Sequence, residues 1–401
     1  MRPLLIFLAS FLMLSCDNSS PQAQQKLSDS QTFYFEKLDS IVVKDVIARV
    51  LVFQGFHEDQ FFFRDMASSE VYVYDQAGEL VDQWNKEGDV PGKFSMTASN
   101  FSFDKKGNLV LLDLMTGIKV LRKDSEVVQD FSIYQNQVSL GAAFSLFDTE
   151  QLIEKDGKEY LIYSLDIIDE YSQNYDAEFL AQRKNLLMTD LESNETTEHI
   201  PFPEGSHFLN GKVYYFRDLR PIFQYDEKSE RLYLMFKSEP ILYTYDWSGD
   251  APKLIDQQLL PLKGFEVYEG FEVGAVDMGQ IGNFQTRPYP SDIIDISKYR
   301  EDLLISYIST PQDKSAIASV IAGQATDETK KRLREEAKMR TVLLRTNGEI
   351  IPVEIPGMHY NSFKVDGNTI YWMKKPDPNT ETEDFTLYWG ELKAKKKTEE
   401  I

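Results

Sequence analysis

The chain has 401 residues, of which 42% are hydrophobic and 27% charged, and this balance excludes a polytopic membrane protein and an intrinsically disordered chain. Asp and Glu outnumber Lys and Arg by 65 to 43. The resulting net charge of −22 repels phosphate backbones and excludes nucleic acid as a partner. The single cysteine rules out an intrachain disulfide, and an aromatic content of 13% favours strands.

Residues 1–15 have the features of a secretory signal peptide. Arg2 is their only charge, and the apolar run that ends at Leu14 is too short to span a bilayer. Cys16 follows Leu-Met-Leu-Ser, an arrangement that resembles the lipobox of bacterial lipoproteins, in which the Cys is lipidated and becomes the mature N-terminus. The alternative is an ordinary signal peptide with an incidental Cys. Because the chain's single Cys lies where a lipobox needs it, we expect lipidation at Cys16 and membrane attachment.

Residues 16–31 contain almost no apolar side chains and are predicted to form a flexible tether that begins with the lipidated Cys. Residues 32–401 are predicted to form a single domain, which the tether holds clear of the bilayer. The expected location is the cell envelope, with the lipid anchor in the outer membrane.

Short strands separated by turns dominate the domain. Val71–Tyr74 precedes the turn Asp75–Gly78, and Phe101–Phe103 precedes the turn Asp104–Gly107. In each turn the Asp accepts backbone hydrogen bonds and the Gly supplies a positive φ. The other predicted strands are Phe61–Arg64, Glu79–Trp84, Asn108–Asp113, Ile118–Leu121, Val127–Phe131, Leu152–Glu154, Tyr160–Tyr163, Leu186–Leu191, Thr197–Ile200, Lys212–Phe216, Ile222–Tyr225, Arg231–Phe236, Ile241–Asp246, Leu303–Tyr307, Val342–Arg345, Phe363–Val365, Thr369–Trp372 and Phe385–Trp389.

The predicted strands fall into six groups between Phe33 and Leu392, and no stretch alternates strands with long helices as a parallel α/β sheet would. A radial arrangement lets each group pack only on its neighbours, so the chain needs no single large core. We therefore predict an all-β fold, a β-propeller of six blades with four antiparallel strands each. The strands Ser40–Val46 and Arg49–Phe53 are candidates to pair with the final blade and close the ring.

One segment, Val71–Phe94, also resembles a known repeat. It ends in Gly88–Phe94, which matches the Gly-x-x-Pro-Gly-x-Phe loop of the six-bladed β-propeller lipoproteins of Bacteroidetes-type bacteria, relatives of NHL-type propellers. That family usually has Gly where Asp89 or Val90 stands and Glu where Lys93 stands. With the lipobox and the length, the whole chain resembles an uncharacterised domain-of-unknown-function lipoprotein family of the same bacteria. This resemblance implies a propeller and no established activity.

Two insertions of helical character interrupt the strands. The first, Tyr171–Asn185, predicts a short helix. The second, Asp313–Arg340, contains a polar helix predicted over Asp327–Lys338 with Thr326 as its N-cap. The polar helix has only a narrow apolar stripe, so we interpret it as a solvated helix on a blade edge rather than a partner-binding helix. Residues 264–290 form a long connection with several glycines, of a kind that is usually functional or mobile.

The sequence carries no catalytic signature. Its four His residues form no i,i+4 pair and no His-x-His pair, so no metal site is predicted. The acidic run Asp377–Asp384 lacks the glycine of a calcium loop and is interpreted as a solvated turn. There is no Gly-x-Ser-x-Gly elbow and no phosphate-binding glycine loop. We predict no catalytic residue, no metal and no cofactor.

Loop arginines are the candidate binding residues, because propellers bind ligands with the loops of one face. Arg217 and Arg220 lie in the segment Arg-Asp-Leu-Arg-Pro, and Arg287 and Tyr289 lie in Arg-Pro-Tyr-Pro. An arginine offers two parallel donors to a carboxylate or phosphate, and a tyrosine offers a stacking face. The alternative for Arg217 is a structural ion pair with Asp218 or another acid.

Two function classes remain. The first is a non-catalytic envelope protein that presents one propeller face to a protein, peptide or glycan. The second is a propeller enzyme, a lyase or hydrolase, with metal or acidic residues lining its channel. The absence of a His cluster from the sequence favours the first class.

Overall fold

The computed structural model of the protein describes residues 32–48, 50–65, 68, 70–85, 88, 93, 101–113, 117–122, 127–131, 150–164, 177–273, 275, 288–355, 357, 362–374 and 385–395. These residues form 24 strands and three α-helices, α1 (Ala177–Gln182), α2 (Lys314–Ile321) and α3 (Asp327–Glu336). Two 3₁₀ turns, His207–Leu209 and Phe216–Leu219, complete the regular structure of this part of the chain. The all-β prediction is confirmed.

Most strands occur in groups of four that are consecutive in the chain and antiparallel throughout. The first group contains β2 (Leu51–His57), β3 (Gln60–Asp65), β4 (Glu70–Asp75) and β5 (Leu80–Asn85); the second contains β6 (Ser102–Phe103), β7 (Leu109–Asp113), β8 (Gly117–Leu121) and β9 (Val127–Phe131); the third contains β10 (Glu150–Lys155), β11 (Lys158–Tyr163), β12 (Lys184–Asp190) and β13 (Thr196–Pro201); the fourth contains β14 (Pro221–Asp226), β15 (Arg231–Phe236), β16 (Glu239–Asp246) and β17 (Lys253–Leu259); and the fifth contains β18 (Asp292–Tyr299), β19 (Asp302–Ile308), β20 (Met339–Leu344) and β21 (Ile350–Glu354).

The remaining strands form a closing group, in which β22 (Lys364–Asp366), β23 (Thr369–Met373) and β24 (Phe385–Lys395) are completed by β1 (Thr32–Val43). β1 pairs antiparallel with β24 along its whole length, from Thr32 opposite Lys395 to Val43 opposite Phe385. It also makes a short parallel contact with β21, so the fifth and closing groups share one eight-stranded sheet. The N-terminal strand therefore covers the outer edge of the last strands of the chain.

Local sequence explains the tight turns within the groups. In the turn after β4, one carboxylate oxygen of Asp75 accepts hydrogen bonds from the backbone amides of Ala77 and Glu79, at 2.9 and 3.0 Å, and Gly78 has φ of 81°. Asp104 and Gly107 repeat the arrangement between β6 and β7. These turns match the prediction because the side chain and the backbone freedom they need lie within four residues.

The core consists of apolar clusters, one between each group and the next. The last cluster joins the closing group to the first, where the Phe53 ring lies 5.6 Å from that of Tyr371 and the Phe53 amide donates to Ser362 Oγ at 3.2 Å. The groups therefore form a closed ring. Members that represent the two sides of each cluster are Val73 and Leu111, Val110 and Leu161, Ile162 and Leu232, Met235 and Ile305, Leu304 and Trp372, and Leu387 and Phe53.

The structure corrects two strand predictions. Lys212–Phe216 is not a strand: Val213 makes one isolated bridge to Phe271, and a 3₁₀ turn begins at Phe216. Of the two predicted closing strands, the one at Ser40–Val46 lies largely in β1, whereas Leu51–Phe53 belongs to β2 and pairs with β3. The second predicted insertion holds α2 in addition to the predicted polar helix.

Candidate functional site

Antiparallel pairing divides the connections between the two ends of each group. The end at which the first strand of a group begins is termed the loop face, and long connections follow β13, β17 and β19 there. Their described parts are 202–220, 260–273, 288–291 and 309–338, and α2 and α3 lie in the last of these. At the other end, termed the turn face, the first two strands of each group are joined by short turns such as 58–59, 156–157 and 300–301. Side chains that are free to vary without breaking strands are therefore concentrated on the loop face.

Arg217 and Arg220 lie together on the loop face, in the connection that leads into β14. A 3₁₀ turn over Phe216–Leu219 brings the chain to β14, and Lys237 donates its backbone amide to the Arg220 carbonyl at 2.8 Å. The Arg220 side chain is only 7% exposed, so it belongs to the packed part of this segment. Its burial indicates a structural contribution as well as any binding role.

Arg217 has a different environment. Its side chain is half-buried, and no described residue accepts a hydrogen bond from its buried Nε. The alternative for Arg217, a structural ion pair with Asp218 or another acid, is not among the ion pairs of the described residues. A guanidinium in this state is available to a carboxylate or phosphate acceptor.

A buried carboxylate lies beside this segment. Glu239, the first residue of β16, is 1% exposed and accepts four hydrogen bonds: from Ser206 Oγ at 3.2 Å, the His207 amide at 3.0 Å, His207 Nδ1 at 3.1 Å and the Tyr243 hydroxyl at 3.0 Å. Such a set of donors supports an ionised carboxylate away from water. The cluster fixes the 3₁₀ turn at His207 onto the loop end of β16.

The Glu239 cluster has electrostatic consequences for its neighbours. A carboxylate oxygen accepts, so Nδ1 of His207 carries the proton of the hydrogen bond to Glu239. Nε2 is buried, and no described residue pairs with it. Burial, followed by the negative charge of Glu239, raises the pKa of Tyr243, and the same two causes raise the pKa of Tyr245.

One further charge pair lies on the same face. Lys237, in the connection between β15 and β16, places its Nζ 3.4 Å from a carboxylate oxygen of Asp292 at the start of β18. The backbone also joins these segments, because Ile293 donates to the Lys237 carbonyl at 2.7 Å. The pair fixes the fourth group to the fifth at the loop face.

The structure does not bring all the predicted site residues together. Tyr289 lies just before β18 with φ of 52°, and its hydroxyl donates to the Lys330 carbonyl of α3 at 3.2 Å. No hydrogen bond joins it to Arg217 or Arg220 among the described residues. Arg287 and Cys16 lie outside the described residues.

Sequence reasoning missed the His207–Glu239 cluster. The two residues are separated by 32 positions, and neither lies in a motif that points to the other. The one local signal is that the acidic Glu239 directly precedes the apolar run Pro240–Tyr243, which indicates a buried carboxylate in need of donors. In the described part of the chain, no three His, Cys, Asp or Glu residues are grouped to hold a metal ion, and no helix there is long and apolar enough to cross a membrane.

Comparison with solved structures identifies the fold, whereas comparison of the sequence does not. No family model and no curated protein matches the sequence. The structure is similar to a crystal structure of a DUF4221 family member from Bacteroides vulgatus, with a TM-score of 0.59 and 11% identity over 91% of this chain and 99% of that one. The fold is a β-propeller.

Two other solved structures match this chain with lower TM-scores. Virginiamycin B lyase from Staphylococcus aureus has a TM-score of 0.42 and 10% identity, over 91% of this chain and 97% of its own. The calcium-binding protein regucalcin from Agrobacterium tumefaciens has a TM-score of 0.43 and 8% identity, over 90% of this chain and 95% of its own.

Proposed function

We propose that the protein is a lipid-anchored envelope protein whose propeller binds a protein, peptide or glycan through the loop face, without catalysis. The proposed blades are six: the five consecutive groups and the closing group. The number six is supported by the six apolar clusters, which lie between each group and the next and between the closing group and the first. Cys16 is the proposed anchor, in the outer membrane, and Arg217, Arg220, Arg287 and Tyr289 are the proposed contact residues.

The observation that carries the binding proposal is the contrast between the two faces. Short turns suffice to connect strands, yet the loop face holds long connections with their own helices and 3₁₀ turns. Connections of this length in a compact domain usually bind something. On this face Arg217 is half-buried with an unpaired Nε in a chain of net charge −22, which supports an anionic contact group on the partner.

The binding proposal is tested by recovery of envelope components on immobilised protein, with quantitative mass spectrometry of what is retained. The Arg217→Ala variant is compared with Arg231→Ala, a matched control because Arg231 is exposed at the start of β15, on the turn face. We expect a component that the native protein and Arg231→Ala retain equally and that Arg217→Ala retains at least tenfold less. Equal retention by all three proteins would refute the role of Arg217.

The anchor is tested separately by membrane fractionation of cells that express the Cys16→Ala variant. We expect the native protein in the membrane fraction and the variant in the soluble fraction, because the acyl chains supply the membrane affinity. Retention of the variant in detergent-free membranes would contradict lipid anchoring at Cys16.

The alternative is a propeller enzyme, and the His207–Glu239 pair favours it. A carboxylate that holds one imidazole nitrogen, while the other has no partner among the described residues, is an arrangement in which histidines act as general bases. The test is turnover of chromogenic ester, amide and glycoside substrates by the native protein and by His207→Ala. Turnover that the variant loses would support the enzyme, and a rate equal to that of buffer would exclude it for those bonds.

A further inference from the structure

A cavity of about 650 Å³ opens on the loop face of the fifth group, between β20, β21 and β1. Its lining includes the apolar side chains of Leu262, Val342, Ile350 and Val353. Arg340, the second residue of β20, lines the cavity and also lines an adjoining cavity of about 590 Å³ that extends toward α3. The wall of this second cavity is polar and includes Ser309 and Thr310. Arg340 therefore lies at a boundary between apolar and polar space.

The charge of Arg340 is not neutralised by its surroundings. Its one hydrogen bond among the described residues runs from Nε to the Ser309 hydroxyl, at 3.2 Å, and that acceptor is neutral. The carboxylate of the first cavity, Glu354, is paired with Lys395 at 3.1 Å. In the second cavity, Asp313 and Glu336 both accept from Arg332, at 2.7 and 2.9 Å.

Other groups around Arg340 add positive charge or none. Lys263 is exposed and lines the first cavity, and Lys338 is exposed and lines the second. The Tyr307 hydroxyl is uncharged at physiological pH and donates to the Lys263 carbonyl at 3.2 Å. Burial raises its pKa further, although the charge of Arg340 opposes this. In a chain with a net charge of −22, this is a local positive site.

We propose that the first cavity binds an amphiphilic organic anion, with its apolar body against β20, β21 and β1 and its anionic head on Arg340. The volume falls within the range of sites for small organic ligands. The planar guanidinium suits a carboxylate head, and Lys263 adds attraction at the rim. This site differs from the one proposed for the macromolecular partner, because Arg217 and Arg220 line neither cavity.

The probe is octanoate, which carries a carboxylate on a short apolar chain, and binding is measured by titration calorimetry on the folded protein. Acetate has the head without the body, and octanol has the body without the head. We expect saturable octanoate binding with at least tenfold lower affinity for each of the other two compounds. Equal affinity for acetate and octanoate would reduce the site to a simple ion site and overturn the proposal, as would equal affinity for octanol.

Variants of Arg340 locate the binding. Arg340→Gln should weaken octanoate binding about tenfold or more, because a charged hydrogen bond is lost, and Arg340→Lys should recover part of the affinity. Arg345→Gln is the matched control, since Arg345 follows the other end of β20 and is absent from both cavities. All variants are first compared by thermal melting. If octanoate binds a normally folded Arg340→Gln protein as well as it binds the native protein, the cavity is not the site.

Discussion

Gly390 offers a sharp test of how the ring closes. It lies in β24, opposite Lys37 of β1 and Ile370 of β23. A Cβ atom at this position would collide with the carbonyl oxygen of Glu36 and would also lie 3.0 Å from the Phe35 ring. The obstacle is backbone, which cannot rotate away, so the Gly390→Ala change must push β1 off β24 or distort both strands.

The cost can be bounded from the structure. Overpacking of a fixed site costs about 1–3 kcal/mol. If β1 detaches, three buried side chains, Phe35, Ile41 and Val43, become exposed, and at about 1.5–3 kcal/mol each the loss would reach about 5–9 kcal/mol. We therefore expect the Gly390→Ala protein to lose at least about 1 kcal/mol of unfolding free energy, and about 5 kcal/mol or more if β1 detaches.

The assay is urea unfolding followed by tryptophan fluorescence, since Trp389 lies in β24 and Trp372 contacts the Phe35 ring of β1 at 3.7 Å. Gly249→Ala is the matched control, because a Cβ at Gly249 meets nothing within 4 Å and its φ is not in the left-handed region. That control should stay within about 0.5 kcal/mol of the native protein or gain slightly. A Gly390→Ala protein with the same midpoint and slope as the control would refute the pairing of β1 with β24.

Three further predictions concern truncation, alkaline stability and the arginine segment. Removal of residues 1–31 should leave the melting temperature unchanged, whereas removal through Val43 should expose the edge of β24 and give aggregates in size-exclusion chromatography; a monomer with native stability would contradict this. Burial raises the pKa of Tyr225 to about 12, so the stability linked to its protonated form is present below pH 10 and is lost as the pH rises toward 12. The Tyr225→Phe change should therefore reduce the fall in the free energy of unfolding in urea between pH 8 and 11. An unchanged fall would count against this assignment. Arg220→Ala should cost about 1–3 kcal/mol in urea unfolding because that side chain is buried, whereas Arg217→Ala should cost under about 1 kcal/mol, and the reverse order would be inconsistent with their environments.

The features that could be predicted from sequence are those that neighbouring residues determine. The turns at Asp75 and Asp104 depend on a carboxylate and a glycine within four residues. Helix α3 begins, as predicted, at an N-cap where the Thr326 hydroxyl accepts from the Thr329 amide at 3.2 Å. These features need no information from the rest of the fold.

The features that could not be predicted depend on what covers a segment. β17 has almost no buried side chain because it is an outer strand, so it lacks the alternation that marks a half-buried strand. The aromatic residues of Lys212–Phe216 predicted a strand, but this segment lies in a connection. Its aromatic content serves packing there, since the Tyr214 side chain is 1% exposed and packs against the fourth group. The donors to Glu239 were likewise hidden, because most come from a distant loop.

The position of β1 in the ring has a consequence for how the chain is made. β1 is the first described strand in the chain and its partner β24 is the last. Phe33 therefore cannot pair with Ala394 until the chain has been synthesised through β24. Contacts of such long sequence separation form slowly. A chain that stops short of β24 leaves β1 without its main partner, and open strand edges invite proteolysis and aggregation. A chain in which β1 has not paired with β24 therefore differs from the closed ring in its exposed strand edges.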